Sequence, residues 1–276
     1  MPIVTLTSDF GSQDHYVAAL KGVLLQLAPK VILVDITHEI APHNVLQAAF
    51  TLRQAWPWFP RGTVHLVVVD PGVGTGRRIL AGQYGGQYFV APDNGVISLV
   101  HQAMPAEGVH LVENRSFFGR VPSATFHGRD IMAPVAALLT RGGSLREVGP
   151  PTDRLEVLPV PRPTILRDYS IHGAVVYVDH FGNCITNIPR ADLTTALIRN
   201  PLAEVSVAGR SIGPLRNTYG EVPIGSPVPL VGSSELLEIA VNQGSASRAL
   251  GLSVGSQVVV GAGPRDRTRS LERDAC

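Results

Sequence analysis

The segment VHLVVVDPGVGTGRR, residues 64–78, decides how the first half of the chain folds. Its first six residues are almost entirely apolar and β-branched, which is typical of a strand buried on both faces of a parallel sheet. A loop with one proline and three glycines follows, so Asp70 lies where the buried strand ends. Ligands bind outside the carboxyl ends of strands in open α/β sheets, which makes this carboxylate a candidate functional residue. An aspartate that only caps a turn would give the same local pattern.

Composition narrows the class of protein. The chain has 276 residues, 45% of them hydrophobic and 16% charged, as expected for a packed globular protein of one large or two small domains. A formal net charge of +1 provides no basic surface for nucleic acid. No apolar run is long enough to span a membrane, and residues 1–4 do not lead into a signal peptide, so we expect a cytoplasmic protein. The two cysteines, Cys184 and Cys276, agree with a reducing compartment.

Strands and amphipathic helices alternate through the first 139 residues. This alternation predicts an α/β domain with a mostly parallel, doubly wound sheet. The predicted strands cover residues 3–7, 31–36, 64–69, 79–83 and 87–91. The predicted helices cover residues 14–27, 44–58 and 129–139, the last of which Pro134 could kink.

The composition changes near Gly149, where a proline-rich stretch begins. We therefore predict an α/β domain at residues 1–150, a linker at residues 151–168 and a smaller β-rich domain at residues 169–264. Strand patterns in that second domain cover residues 173–179, 205–208, 236–241 and 257–261. The remaining residues, 265–276, are charged and without periodicity, which predicts a loose polar tail.

Three acidic residues share one position, at the end of a predicted strand and next to a glycine-containing turn: Asp9, Asp70 and Asp179. A fourth segment, residues 125–130, places His127 directly before a glycine at the start of a predicted helix. Such side chains converge when the strand ends meet at one edge of a sheet. The pattern indicates one cleft and leaves its chemistry open.

Four kinds of site remain open at this point. A phosphate-binding loop at residues 72–76 would lack the Gly-Lys-Ser/Thr and Gly-x-Gly-x-x-Gly patterns. Covalent catalysis would depend on Cys184, which has no neighbouring base. A nucleoside site would place an aspartate on the ribose hydroxyls and Phe181 or Tyr219 on the base. A metal site would lack the usual helical or paired-cysteine spacing. Its ligands would come from Asp9, Asp70, His127, Asp130 and Asp179.

Five motifs in a fixed order carry a family resemblance. They are TSDFG at residues 7–11 with Lys21-Gly22, VDPGVGT at 69–75, FHGRD at 126–130, DHFGN at 179–183 with Thr186-Asn187, and LEIAVN at 237–242. Together they closely resemble the S-adenosyl-L-methionine (SAM) hydrolases, also called SAM hydroxide adenosyltransferases, which are related to the bacterial fluorinase and chlorinase. The resemblance extends from about residue 3 to residue 262.

This resemblance implies a fold and an activity. The expected fold is a Rossmann-like N-terminal α/β domain followed by a smaller β-rich C-terminal domain. The expected assembly is a homotrimer with its active sites between subunits. The family cleaves SAM with water to adenosine and L-methionine, with no metal and no cofactor. Neither nucleic acid nor a membrane is expected as a partner.

The resemblance also implies which residues form the site. It assigns catalysis to Asp70, Arg77 and His127, with Arg77 rather than Arg78 aligned to the family's arginine. Asp9 corresponds to the ribose-binding residue, while Asp14 and Tyr16 match the part that receives the methionine end. The full set of expected substrate-binding residues is Asp9, Phe10, Asp14, Tyr16, Asp179, Phe181, Asn183, Ser233, Glu238 and Val241. In the reaction, Asp70 would orient the water and accept its proton, His127 would tune or relay that proton, and Arg77 would hold the carboxylate.

Two alternatives follow from departures within the family. The halogenases have a tyrosine where this chain has Asp70, so the retained acid and His127 favour water over a halide as nucleophile. Ile185 also takes the nearest position to a tryptophan of the fluorinase. A protein that only binds SAM or adenosine would need Asp9 and Asn183 but not the catalytic set. The sequence leaves open which of Asp70 and His127 is the formal base.

Overall fold

The computed structural model of the chain describes residues 1–118 and 121–262. These residues fall into two units, the first Met1–Pro159 and the second beginning at Val160. The predicted polar tail at residues 265–276 lies outside the described residues. The described chain is a mixed α/β structure with two sheets, one in each unit.

The sheet of the first unit has six strands in the order β2-β1-β3-β5-β4-β6. The strands are β1 (Ile3–Ser8), β2 (Ile32–Thr37), β3 (Val64–Val68), β4 (Ile79–Tyr84), β5 (Gln87–Pro92) and β6 (Ala106–Leu111). β1 pairs in parallel with β2 and β3, and β3 pairs in parallel with β5. β4 is antiparallel to both of its neighbours. The chain therefore passes from β3 to its parallel neighbour β5 through the antiparallel strand β4, where a doubly wound sheet has a helix. The strand order does not confirm the Rossmann-like prediction.

Helices cover both faces of this sheet. They are α1 (Tyr16–Leu27), α2 (Val45–Ala55), α3 (Ser98–Ala103), α4 (Ala133–Thr140) and α5 (Leu145–Val148). β3 is buried along its whole length, as its composition predicts. Leu66 packs with residues of α1 and α4, whereas Val67 packs with residues of α2 and α3. Because β3 lies between two apolar layers, the residues that follow it start from a rigid position.

The segment after His127 differs from the single helix predicted at residues 129–139. A π-helical turn covers Gly128–Met132, and α4 begins only at Ala133 with Pro134 in its first turn. The π-helical turn continues into α4 without a break, since the amide of Ala133 donates to the carbonyl of Gly128. Pro134, which has no amide to donate, lies at this junction, and a kink there stays a prediction. A Cβ on Gly128 would lie 2.7 Å from Cγ1 of Val68. Glycine thus lets this turn pack directly against the end of β3.

The sheet of the second unit has eight strands, and its strands pair with one another in antiparallel fashion within the described residues. Seven of them follow the order β11-β10-β14-β8-β9-β13-β12, and β7 pairs with β8. The strands are β7 (Thr164–Ile165), β8 (Ile171–Val178), β9 (Cys184–Pro189), β10 (Ala203–Val207), β11 (Arg210–Gly213), β12 (Pro227–Val231), β13 (Leu236–Val241) and β14 (Gln257–Ala262). Two helices accompany them, α6 (Arg190–Arg199) and α7 (Ala246–Leu250).

Candidate active site

A cavity of about 510 Å³ opens at the carboxyl ends of β1 and β3 in the first unit. Five residues predicted for the site line it: Asp9, Phe10, Tyr16, Asp70 and His127. The remaining lining residues are His15, Pro42, His43, Val68, Val73, Ser123, Thr125, Phe126, Gly128 and Arg129. Asp14 is exposed and is not among the residues that line the cavity. This location is the one expected for a ligand site in an open α/β sheet.

Asp70 and His127, which line this cavity, form one hydrogen-bonded cluster with Arg77, which does not line it. Nε of Arg77 donates to both carboxylate oxygens of Asp70, at 2.9 Å to Oδ1 and 3.0 Å to Oδ2, and Nη2 donates to Oδ2. Nη2 also lies 2.9 Å from Nδ1 of His127. The Asp70 side chain is only 6% exposed and that of Arg77 11%. A buried carboxylate is stable in its charged form when a guanidinium pairs with it in this way.

The contact with Arg77 fixes the protonation of His127. A guanidinium only donates hydrogen bonds, so Nδ1 accepts and the neutral ring carries its proton on Nε2. Burial and the positive charge of Arg77 lower the pKa of His127 below 6.5, against the opposing effect of Asp70 and Asp130. His127 is therefore a neutral ring at pH 7, with its Nδ1 already occupied.

The glycine-rich loop brings Arg77 back to Asp70. Two backbone turns fold the loop, from the amide of Val73 to the carbonyl of Asp70 and from the amide of Thr75 to that of Gly72. Gly74 has a φ of 79°, and a Cβ there would lie 2.5 Å from the carbonyl oxygen of Ala124. Only glycine adopts this conformation with so close an approach. The loop therefore packs against the segment that carries His127.

Asp9 is oriented by the loop that follows β2. The backbone amide of His43 donates to Oδ2 of Asp9 at 2.9 Å. His43 has a φ of 66°, a left-handed conformation that is uncommon outside glycine and occurs most often at functional or tightly held positions. One oxygen of Asp9 is thus held by the backbone, which leaves the other for a ligand.

A chain of polar side chains anchors the same loop. Oγ of Ser8 lies 2.7 Å from Nδ1 of His38, and Nε2 of His38 lies 3.1 Å from Oδ1 of Asp35 without hydrogen-bond geometry. Nζ of Lys21 donates to Oδ2 of Asp35 at 2.6 Å. This serine, histidine and aspartate resemble a nucleophilic triad in type, but Ser8 is fully buried and does not line the cavity. The chain is a support for the end of β1, directly before Asp9.

Aromatic rings form another part of the cavity wall. The ring centroids of Phe10, Tyr16 and Phe126 are 5.3 to 5.7 Å apart in pairs, and two of the three pairs meet edge to face. The guanidinium of Arg129 lies over the Phe126 ring, 4.8 Å from its centroid, and pairs with Asp130. Ring faces attract cations, so this wall suits a ligand that carries a positive charge.

The other predicted binding residues lie in the second unit. Asp179 accepts hydrogen bonds from Asn183 at its backbone amide (2.8 Å) and at Nδ2 (3.0 Å). Glu238 is buried and accepts from the hydroxyl of Tyr219 at 2.7 Å. Burial and the nearby charge of Asp179 raise the pKa of Glu238.

Three further predicted residues of that unit differ in exposure. Phe181 is 73% exposed, and Ser233 is also exposed. The side chain of Val241 is buried in the hydrophobic core of the second unit. Only its backbone is therefore available to a ligand.

Two sequence profiles match this chain. The SAM hydroxide adenosyltransferase N-terminal domain matches residues 4–149, and the C-terminal domain of the same name matches residues 173–259. The chain belongs to the SAM hydroxide adenosyltransferase family. The resemblance inferred from the five motifs is thereby confirmed.

Relatives of this family member carry informative names. The (R)-S-adenosyl-L-methionine hydrolase of Thermus thermophilus is 42% identical over 264 residues, which cover 92% of this chain and 98% of the relative. The fluorinase of an Actinoplanes species is more distant, at 29% identity over 94% of this chain and 97% of its own. A crystal structure of an uncharacterized conserved protein from Thermotoga maritima superimposes with a TM-score of 0.85 at 38% identity. It covers 95% of this chain and 100% of its own.

The loop after β2 contributes to the cavity, which the sequence analysis did not predict. His43 holds Asp9, and Pro42 and His43 line the cavity, but neither residue was predicted. The missed signal is the position of the loop: β2 is parallel to β1, so its carboxyl end opens on the same edge of the sheet. The same rule that identified Asp9 and Asp70 therefore also applies to residues 37–43.

The described part of the chain gives less support to covalent catalysis by Cys184 and to a metal site. Burial raises the pKa of the Cys184 thiol to about 11, so it is protonated at neutral pH and a poor nucleophile. Across residues 1–118 and 121–262, no group of three histidine, cysteine or acidic side chains is arranged to hold a metal ion. Within the same ranges, none of the helices has the length and hydropathy needed to cross a bilayer.

Proposed function

We propose that this chain hydrolyses SAM, with water attacking C5′ of the ribose. The C5′–S bond breaks and its electron pair goes to sulfur, so the products are adenosine, L-methionine and one proton. The observation that carries the proposal is that Asp70 and His127 line the same cavity as Asp9 and are both hydrogen-bonded to Arg77. Family membership and the names of the relatives support it.

The sulfur of SAM is a good leaving group, so Asp70, Arg77 and His127 would suffice for hydrolysis without an acid catalyst. A sulfonium departs as a neutral thioether and needs no acid catalyst. The protein must hold a water molecule in line with the C5′–S bond, and such positioning can lower a barrier by roughly 7–11 kcal/mol in well-oriented systems. The aromatic wall of Phe10, Tyr16 and Phe126 would hold the sulfonium while Asp70 orients the water.

Hydrogen bonding favours Asp70 over His127 as the base. The neutral His127 already uses Nδ1 to accept from Arg77 and carries a proton on Nε2, so it has no free site for another proton. Oδ1 of Asp70 accepts only one hydrogen bond from Arg77 and keeps a lone pair for water. Because water becomes strongly acidic as its oxygen bonds to carbon, a weak base such as a carboxylate is adequate late in the step.

Binding roles follow from the same proposal. Asp9 would hold the ribose hydroxyls with the oxygen that His43 leaves free. Asp14 and Tyr16 would receive the methionine end. In the second unit, the contacts would come from Asp179, Phe181, Asn183, Ser233, Glu238 and the backbone of Val241.

Assembly and environment complete the proposal. We infer a homotrimer in which the active sites lie between subunits, a cytoplasmic location, and neither nucleic acid nor a membrane as partner. As in Rossmann-like folds, the ligand would bind at the carboxyl ends of the parallel strands of the first sheet. The exposed aromatic ring of Phe181 supports a contact with another surface or ligand.

Mixing inactive subunits tests the shared site. Asp70→Ala and Asn183→Ala subunits should each be inactive alone and should recover part of the activity when mixed. An absence of recovery, with subunit exchange demonstrated by mass spectrometry, would place each site within one chain.

Product analysis tests the activity itself. The purified chain is incubated separately with the (R) and (S) sulfonium epimers of SAM, because the relatives are named for the (R) form. Chloride-containing and chloride-free buffers are compared. Adenosine and methionine in both buffers are expected. Release of 5′-chloro-5′-deoxyadenosine would identify a halogenase, and binding without any product would identify a binding protein.

A further inference from the structure

A second cavity of about 740 Å³ lies next to the candidate active site in the first unit. Its lining includes Thr75, Gly76, Arg77, Arg78 and Glu113. His127 also lines it, and is the one residue that the two cavities share among those that line them in the described chain. Apolar side chains such as Ile79, Leu111 and Val112 line it as well, and its size would accommodate on the order of twenty water molecules, at about 30 Å³ each.

The wall between the two cavities consists of the catalytic cluster. Asp70 lines the first cavity and Arg77 the second, and the guanidinium joins them through the bonds described above. His127 reaches both sides and is bonded to the same guanidinium. The groups that would handle the nucleophile thus contact a second, separate volume.

We propose that this second cavity is the route by which water reaches the catalytic cluster while SAM occupies the first cavity. The inference rests on the proposed function and adds a route by which water reaches Asp70. In-line attack places the water on the face of C5′ opposite sulfur. A substrate that fills the first cavity therefore separates that water from the solvent on its own side.

Each turnover consumes one water molecule at the catalytic cluster, which the second cavity would resupply. In each turnover the water oxygen bonds to C5′, the C5′–S electron pair goes to sulfur, and one water proton is released. Asp70 would accept this proton and must lose it before the next turnover. Asp70 lines the first cavity and would return the proton to solvent there once the products have left.

Gly76 offers a way to block the route without disturbing the cluster. A Cβ at Gly76 would meet no atom within 4 Å, and its φ does not lie in the left-handed region. Gly74, two residues earlier, would clash and is unsuitable. Val121, which is 91% exposed, lines the same cavity from a different segment. Gly22 in α1 also has free space for a Cβ and is a matched control outside both cavities.

Steady-state kinetics of Gly76→Ala, Gly76→Leu and Gly76→Trp test the route, with Val121→Trp as a second block and Gly22→Leu as the control. We expect kcat for SAM hydrolysis to fall as the side chain grows, by about tenfold or more for tryptophan, with an unchanged KM. Val121→Trp should also lower kcat, whereas Gly22→Leu should not. Displacement of Arg77 would remove a positive charge that lowers the pKa of His127, so the acid limb of the kcat–pH profile would move to higher pH. We expect this limb to stay in place across the series.

Three results would overturn the route. A normal kcat in both tryptophan variants would refute it while leaving the proposed function intact. A raised KM with normal kcat would assign the cavity to part of the substrate. If the unaltered chain hydrolyses neither epimer of SAM, the proposed function fails and the route fails with it.

Discussion

Nη2 of Arg77 lies 2.9 Å from Nδ1 of His127, and the same guanidinium holds the carboxylate of Asp70. One cation therefore bridges the two residues that sequence comparison could not rank as base. Its position assigns a donor role to Nε2 of His127 and leaves Oδ1 of Asp70 as the better acceptor. The first two predictions concern this bridge.

Asp70→Asn removes the charge and the basicity and keeps the shape of the side chain. We expect kcat to fall by roughly 10²–10⁴, the usual range for a lost acid–base group. The Kd for SAM should change little, since the lost interaction acts mainly in the transition state. Single-turnover kinetics and calorimetric titration measure the two effects separately. A near-normal kcat would remove Asp70 from the chemistry.

His127 has a role that two amide variants can separate. His127→Asn keeps an acceptor near the position of Nδ1, whereas His127→Gln places its amide near Nε2. If His127 acts by orienting Arg77, His127→Asn should keep more activity than His127→Gln. His127→Ala should lose roughly 10²–10⁴ in kcat, and its combination with Asp70→Asn should cost much less than the product of the single losses. Fully multiplicative losses would show that the two residues act independently.

The support behind Asp9 predicts a different kinetic signature. His38→Asn keeps a hydrogen-bond partner for the hydroxyl of Ser8, whereas His38→Gln and Ser8→Ala lose that bond. We expect the latter two to raise KM for SAM and Kd for adenosine by about fivefold, the value of one net hydrogen bond, with kcat unchanged. His38→Asn should remain close to the unaltered protein. Equal effects of the asparagine and glutamine variants would mean that His38 acts only through general stability.

His65 makes the folded state sensitive to acid. Its ring is fully buried between Thr5 and Gln87, and burial lowers its pKa from 6.5 to about 4, against the opposing bond from Gln87. His65 binds a proton more readily in the unfolded chain than in the folded one. Protonation of His65 therefore does not lower the free energy of unfolding above pH 6.5, and it lowers it progressively as the pH falls towards 4. The loss amounts to about 3 kcal/mol, at 1.36 kcal/mol per pKa unit.

Urea unfolding at several pH values measures this effect. His65→Gln is the comparison, because its side chain does not titrate. The free energy of unfolding of the unaltered chain should fall more steeply between pH 6.5 and 4 than that of the variant. Equal slopes would show that His65 titrates alike in the folded and unfolded states.

The main elements of the first unit could be predicted from local sequence. β3 is a continuous apolar run because both of its faces are covered, and the glycine-rich loop after it follows directly. The parallel pairing of β3 with β5 by way of the antiparallel strand β4 could not be predicted, because strand order depends on contacts between distant segments. The predicted strand at residues 236–241 agrees with β13, whereas β9, β12 and α6 were missed. β12 contains two prolines, which are unusual within a strand.

Local sequence likewise predicts some features of the candidate site and not others. Asp9, Asp70, Asp179 and His127 were predicted to converge because each follows a strand or precedes a helix. Asp9, Asp70 and His127 line one cavity of the first unit, whereas Asp179 belongs to the second unit and its part in the site stays a prediction. The contact of Arg77 with His127, 50 positions apart, has no local signal. The support of Asp9 by His43 involves a backbone amide, which carries no side-chain signature.

The most direct measurement follows the oxygen of the nucleophile. The unaltered chain is incubated with SAM in water enriched in oxygen-18, and both products are analysed by mass spectrometry. We expect one labelled oxygen in the 5′-hydroxyl of adenosine and none in methionine, because water attacks C5′ and the carboxylate of methionine does not react. Label in an amino acid product such as homoserine would place the attack on the other side of sulfur. That result, or adenosine formed without label, would contradict the account.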